Sequence, residues 1–407
     1  MSGTARRSLL AATGAAGLVA ATGRTAWAGT GQRAERIRLT LPGPTGPSPV
    51  GTTELHLVDS SRRDPWTSAA APRELMVSLW YPTSDAYGRP RAPWLPPGAE
   101  AVWKRQVAQQ VRTSLDDVDL PVTHAAEDAP VAAGRRGRPV VLFSAGYGSV
   151  RALGTALVED LAGHGFVVVA VDHTYEAPVV EFPGGRLELS RQPADASDDD
   201  ILKALGVRQD DIRFVLDTLV QLNAGRNPDA GHRPLPRCLR GSLDLSRIGM
   251  FGHSLGGDTT AEVMVQDRRI RAGVNLDGAV HGAARTAGLD RPFLLMGSAV
   301  HGRDTDATWA DFWSHLRGWR LDLRLRDSRH MTYTDLSPLA QQLEKALPLA
   351  PEVIAYLTNT IGTIDADRAV AAQRAYLAAF FDLHLRGRDG HLLSGPSARY
   401  PEIEFVP

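Results

Sequence analysis

The segment Gly252-His253-Ser254-Leu255-Gly256 sets a serine between two glycines, where the apolar run 247–252 gives way to the helically spaced 255–267. This is the G-x-S-x-G pattern of a nucleophile elbow. A serine on such a sharp strand-to-helix turn carries its hydroxyl above the sheet, and side chains two residues to either side would collide. A helix-capping serine needs neither glycine. The chemistry implied is acyl transfer, with the N–H of Leu255 at the helix start available to an oxyanion.

A serine hydroxyl is a weak nucleophile and needs a base held by an acid, in the chain order Ser, acid, His, each after a strand. Twelve histidines compete for the role of base. His253 lies inside the elbow and reads as structural. His281, His301, His315 and His384 lack strand-end context, whereas His330 follows the strand-like 321–327 by a few residues. Position alone leaves the acid open. Asp277 ends the strand after the nucleophile helix; Asp304 and Asp306 follow the next strand, and Asp306 reads equally well as a helix N-cap. The glycine-rich loop 143–151 after an earlier strand offers the N–H of Tyr147 as a second oxyanion donor.

The elements that must position these groups alternate. Continuous apolar runs at 139–146 and 166–172 read as parallel strands buried on both faces, and further strands are expected at 36–41, 74–82, 247–252, 271–277 and 292–298. The strictly alternating 321–327 reads as an exposed or edge strand. Helical spacing marks 151–165, 201–222 (behind the caps Ser197 and Asp198) and 365–387, with a shorter helical piece around 99–115. The expected fold class is α/β, a doubly wound, mostly parallel sheet in a single domain from residue 53. Residues 29–52 read as a Gly/Pro-rich tether. The Pro-rich stretch 83–133 is too long for an ordinary loop and reads as a lid or as a plain insertion.

In combination, the run 142–176, GHSLGG, NLDG and RHMTYTD resemble the secreted-type platelet-activating factor acetylhydrolases, esterases of the α/β-hydrolase fold. The resemblance covers roughly 139–336. It implies that the acid follows the strand directly after the elbow. Asp277, 23 residues beyond Ser254, fits, and Asp304 does not. It also implies that the histidine opens an H-x-x-aromatic-small-Asp motif, matched by His330, Tyr333, Thr334 and Asp335. The expected function is then a serine esterase with Ser254, Asp277 and His330 as its triad, acting on phospholipids with a short or oxidised sn-2 acyl chain or on small soluble esters. A lipase or polyester hydrolase is the nearest enzymatic alternative, and a non-catalytic binding protein on the same fold the other. One departure stands out. The family loop commonly reads Ser-His-Gly-Leu-Gly, where this chain has Ser144-Ala145-Gly146-Tyr147-Gly148. The bulkier Tyr147 narrows or polarises the acyl pocket.

The formal net charge of −1 gives no electrostatic case for nucleic acid or an anionic membrane. Neither H-E-x-x-H nor a Cys/His ligand pattern occurs, so no metal or organic cofactor is expected. The single Cys238 excludes an intramolecular disulfide. At the N-terminus, Arg6-Arg7, a mildly apolar stretch and Ala26-Trp27-Ala28 form the pattern of a twin-arginine export signal over residues 1–28. This predicts secretion and transient contact with the translocation machinery. The apolar stretch is too short and too rich in Gly and Ala for stable membrane insertion.

Overall fold

The computed structural model describes residues 36–134 and 137–407; the expected export signal lies outside them. An eleven-stranded sheet runs through the described residues. Its strands in chain order are β1 (Val50–Arg63), β2 (Pro72–Pro82), β3 (Arg91–Pro93), β4 (Val122–Glu127), β5 (Arg138–Ser144), β6 (Val167–Asp172), β7 (Leu243–His253), β8 (Ile270–Leu276), β9 (Phe293–Gly297), β10 (Arg320–Leu325) and β11 (Ile403–Phe405). Their spatial order is β11-β10-β9-β8-β7-β5-β6-β2-β1-β4-β3. The block β6-β5-β7-β8-β9-β10 is parallel. The order steps outward in both directions from β5, as in a doubly wound sheet, which leaves the strand ends near β5 and β7 clear for a site.

Alternate residues of the central strands feed two cores. Val141, Phe143, Val168 and Ala170 face α2 (Thr155–Gly163) and α6 (Ala366–Arg386). Val140, Leu142, Val167 and Val169 face α3 (Asp198–Asn223), α4 (Leu255–Gln266) and α5 (Ala307–His315). Each of these valine, leucine and phenylalanine side chains contributes about 1.5–3 kcal/mol on full burial. This two-sided burial is why these strands read as unbroken apolar runs.

Three expectations about the periphery change. Strand β10 is not an edge strand, because β11 pairs antiparallel along its free side. Residues 36–49, read as part of a tether, are seated on the body: Leu39 and Leu41 are buried, and Arg374 donates to the carbonyls of Pro42 and Gly43 at 2.7 Å each. The stretch 83–133 folds into β3, α1 (Pro97–Val111) and β4 and extends the sheet beyond β1. Strand β4 lies five places from β7 in the sheet, about 24 Å at the usual strand spacing. Between this insertion and the sheet is a cavity of about 630 Å³ lined by Glu54, Trp80, Trp94, Arg151 and Asp172 among others.

Candidate active site

Ser254 stands alone between β7 and α4 with φ 54° and ψ −124°, a conformation that L-residues rarely adopt and that costs about 1–3 kcal/mol. Close backbone contacts hold it there. A Cβ on Gly252 would lie 2.2 Å from Gly256 C, one on Gly256 1.9 Å from Ser144 O, and one on Gly257 2.1 Å from Asn275 Oδ1. Both glycines of the pattern are therefore required, and Gly257 as well. The Ser254 N–H donates to Leu276 O at 2.9 Å, which ties the turn to the end of β8. Leu255 is the first residue of α4, so its N–H has no helical carbonyl one turn behind it.

Asp277 follows β8 in the left-handed region (φ 58°) with its side chain buried. Its Oδ2 meets His330 Nδ1 at 2.7 Å, while Oδ1 accepts from the Ser298 N–H and lies 3.2 Å from His301 Nδ1. Burial alone would raise the carboxyl's pKa, but the hydrogen bonds from His301 and His330 outweigh it and hold Asp277 well below the usual carboxylate range.

His330 opens the short 3₁₀ turn His330–Tyr333 and is partly exposed. The rest of its motif anchors that turn. The Tyr333 hydroxyl donates to Gly297 O at 2.7 Å, and the buried Asp335 carboxyl accepts from Trp94 Nε1 at 3.0 Å and from the Ala156 N–H at 3.1 Å. His253, beside the serine, is buried, and its Nε2 donates to His330 O at 2.9 Å with the two rings 4.5 Å apart. Burial pushes its pKa down to about 3, so it is neutral and acts as a strut. The structure thus places Ser254, Asp277 and His330 beyond the carboxyl ends of the parallel strands β7, β8 and β10.

The alternative acids lie elsewhere in this network. Asp304 is exposed and pairs with Arg324. Asp306 caps α5, accepting from the Thr308 N–H at 2.7 Å, and its Oδ2 also meets His301 Nε2 at 2.8 Å. His301 therefore spans two carboxylates, and each of its ring nitrogens faces an acceptor. Only the doubly protonated ring can donate to both. Burial works against that charge, but the bonds to Asp277 and Asp306 raise the pKa to about 9. Sequence reasoning passed over His301 for want of strand-end context, and it also missed Gly278, where a Cβ would lie 2.0 Å from Ser254 O.

On the other side of the serine, a Cβ on Gly146 would sit 3.2 Å from Ser254 Cβ, so the loop carrying Tyr147 abuts the elbow. The Tyr147 hydroxyl donates to Gln192 Oε1 at 3.2 Å, and its ring packs with Trp66 and Ala196 against Ile201, Ala204, Leu205 and Leu255. The site therefore has one apolar, aromatic wall. Among the described residues no cluster of His, Cys, Asp or Glu is arranged to hold a metal ion, and no helix is long and apolar enough to cross a membrane.

A parallel α/β sheet with a strained serine between strand and helix defines the class, an esterase of the α/β-hydrolase fold. The chain belongs to the family of platelet-activating factor acetylhydrolase, isoform II, whose model matches residues 34–386. It is 29% identical over 394 residues to a probable 1-alkyl-2-acetylglycerophosphocholine esterase of Arthroderma benhamiae, covering 90% of this chain and 93% of that protein. It is 28% identical over 262 residues to the platelet-activating factor acetylhydrolase of Cavia porcellus, covering 58% of this chain and 55% of that protein. Among solved structures, a ferulic acid esterase from Streptomyces cinnamoneus superposes with a TM-score of 0.74 at 38% identity, covering 91% of this chain and 99% of that one.

Proposed function

We propose that the chain hydrolyses carboxylic esters through an acyl-enzyme on Ser254. The observation that carries the reading is the 2.7 Å contact between Asp277 and His330 Nδ1, which leaves Nε2 as the base of a ring braced against the elbow by His253. His330 takes the serine proton as Ser254 attacks and returns it to the leaving alcohol, and Asp277 fixes the tautomer and stabilises the imidazolium. The N–H groups of Leu255 and Tyr147 bind the oxyanion. Water then repeats the sequence on the acyl-enzyme. A fluorophosphonate probe tests this directly: an adduct is expected on the peptide 250–260, and intact protein without one would sink the mechanism.

For the substrate, the family and the Arthroderma relative support a phospholipid with a short or oxidised sn-2 acyl chain. A second reading, a hydroxycinnamate ester, draws on the ferulic acid esterase likeness and on the aromatic wall of Trp66 and Tyr147. A panel of short-sn-2 and long-sn-2 phosphatidylcholines, methyl ferulate, p-nitrophenyl acetate and a soluble polyester decides between them by kcat/KM. The Arg6-Arg7 segment supports export by the twin-arginine route, and a mature N-terminus just after Ala28 is the expected product.

A further inference from the structure

The loop that presents Tyr147 is held from behind by one buried cation. Arg208, on α3, is 1% exposed. Its Nη1 donates to Ser144 Oγ at 3.0 Å and to Ala145 O at 2.5 Å, and its Nη2 donates to Gly146 O at 2.9 Å. Nε and the remaining Nη2 proton go to Glu176, itself buried. All five guanidinium donors are thereby used. A second tier backs the first. His173 Nδ1 gives its proton to Asp211 at 3.0 Å, so Nε2 accepts from the Ser144 hydroxyl at 3.0 Å, and Arg73 closes on Asp211 at 2.7 Å.

The consequence lies in one peptide plane. In a trans peptide the C=O and the following N–H point in opposite directions, and the described residues contain no cis bond. With Gly146 O drawn to Arg208 and, at 3.1 Å, to the Ser149 N–H, the N–H of Tyr147 must face away from the guanidinium, in a loop whose Gly146 abuts Ser254. A flip of this plane would turn a carbonyl toward the oxyanion and abandon a buried donor of Arg208. We propose that Arg208 is a positioning residue that pre-sets the Tyr147 N–H as an oxyanion donor, the carbonyls of Ala145 and Gly146 being its handles. The inference rests on the acyl-enzyme reading above.

The test uses the full-length enzyme with Arg208→Lys, which keeps a charge for Glu176 but cannot span both carbonyls. A second variant, Arg208→Gln with Glu176→Gln, removes both charges together and leaves neither unpaired in the interior. In whichever variant folds, kcat is expected to fall about 100- to 1,000-fold, as for loss of one oxyanion donor, with KM within about threefold. The affinity for a trifluoromethyl ketone, which forms the tetrahedral adduct, falls by the same factor as kcat. Glu176→Gln alone leaves the carbonyl handles in place and keeps kcat within about threefold. A folded Arg208 variant with near-normal kcat overturns the proposal, as does a Glu176→Gln enzyme that matches the Arg208 loss, which would make the pair merely structural. Turnover surviving Ser254→Ala would instead overturn the acyl-enzyme reading itself.

Discussion

The doubly protonated His301 should reveal itself in the pH dependence of stability. Its ring spans Asp277 at 3.2 Å and Asp306 at 2.8 Å and lies tilted 4.5 Å from Trp309, with only 17% of the side chain exposed. The native pKa is raised from 6.5 to about 9, which corresponds to roughly 3 kcal/mol of stabilisation where both states are protonated. Between these values the native state holds a proton that the unfolded chain has lost, so stability falls as pH rises. The contribution is complete below about pH 6.5, is roughly 2.5 kcal/mol at pH 7, and has vanished by about pH 10. His301→Gln keeps the shape and loses the charge. Urea unfolding of both proteins at pH 7 and pH 10 provides the assay, because groups common to both cancel in the difference. The wild-type advantage is expected to shrink by about 2–3 kcal/mol between the two pH values. A difference that stays flat with pH would show that His301 is neutral in the native state and would refute the bridging-imidazolium argument.

Other consequences are simpler to check. Asp277→Asn should lower kcat by about 10³–10⁴, since an amide cannot hold the required tautomer, while Asp304→Asn, at the exposed partner of Arg324, leaves it within about threefold; the reverse result would reassign the acid. Gly256→Ala drives a methyl to 1.9 Å from Ser144 O and is expected to cost about 3 kcal/mol or more by denaturant unfolding, whereas Gly390→Ala, with open space around it, stays within about 0.5 kcal/mol. Tyr147→Phe loses the Gln192 bond but keeps the backbone N–H. Turnover of p-nitrophenyl acetate then holds within about threefold while the preference between small and bulky acyl groups moves, and a uniform loss on every ester would place the hydroxyl in the chemistry instead.

The parts of this molecule that could be read from sequence are those where one local rule dominates. Two-sided burial writes β5 and β6 as plain apolar runs, and the crowding around Ser254 writes itself as glycines. Strand β1 escaped because its apolar alternation stops at Leu57: Val58 is left partly open while Asp59, bonded to Ser61 and Arg62, is buried. Leu39 and Leu41 look like tether residues until the Arg374 handle, over three hundred residues away, is in place. Position alone could not choose the acid, because which strand-end carboxylate reaches His330 depends on how the loops after β8 and β9 pack, and Asp277 is the one that meets its Nδ1. Arg208 did leave a trace: a charged residue on the face of α3 that also carries Leu205, Ile212 and Val215 inward. Without the loop carbonyls in view, that trace reads only as an irregularity in an amphipathic helix.

The proposed nucleophile and acid are coupled through backbone, which separates how the chain would cut from what it would select. Ser254 hangs from Leu276, and Gly278 lies against the Ser254 carbonyl. Asn275 clamps the turn between them, accepting from the Gly278 N–H at 2.8 Å and donating to Gly278 O at 2.7 Å. A change large enough to move one of these groups must move the other, so the reacting geometry tolerates little variation. Trp66, Tyr147 and Gln192 sit instead on loops outside the sheet, with partly open side chains and few bonds to the elbow. Loop residues on a rigid frame can change without disturbing the machinery beneath them. One frame can therefore serve relatives named for an acetylated glycerophosphocholine and for ferulic acid. In this chain Trp66, Tyr147 and Gln192 form the wall beside the elbow, and the acyl preference of Tyr147→Phe tests the proposal that the choice of ester rests there.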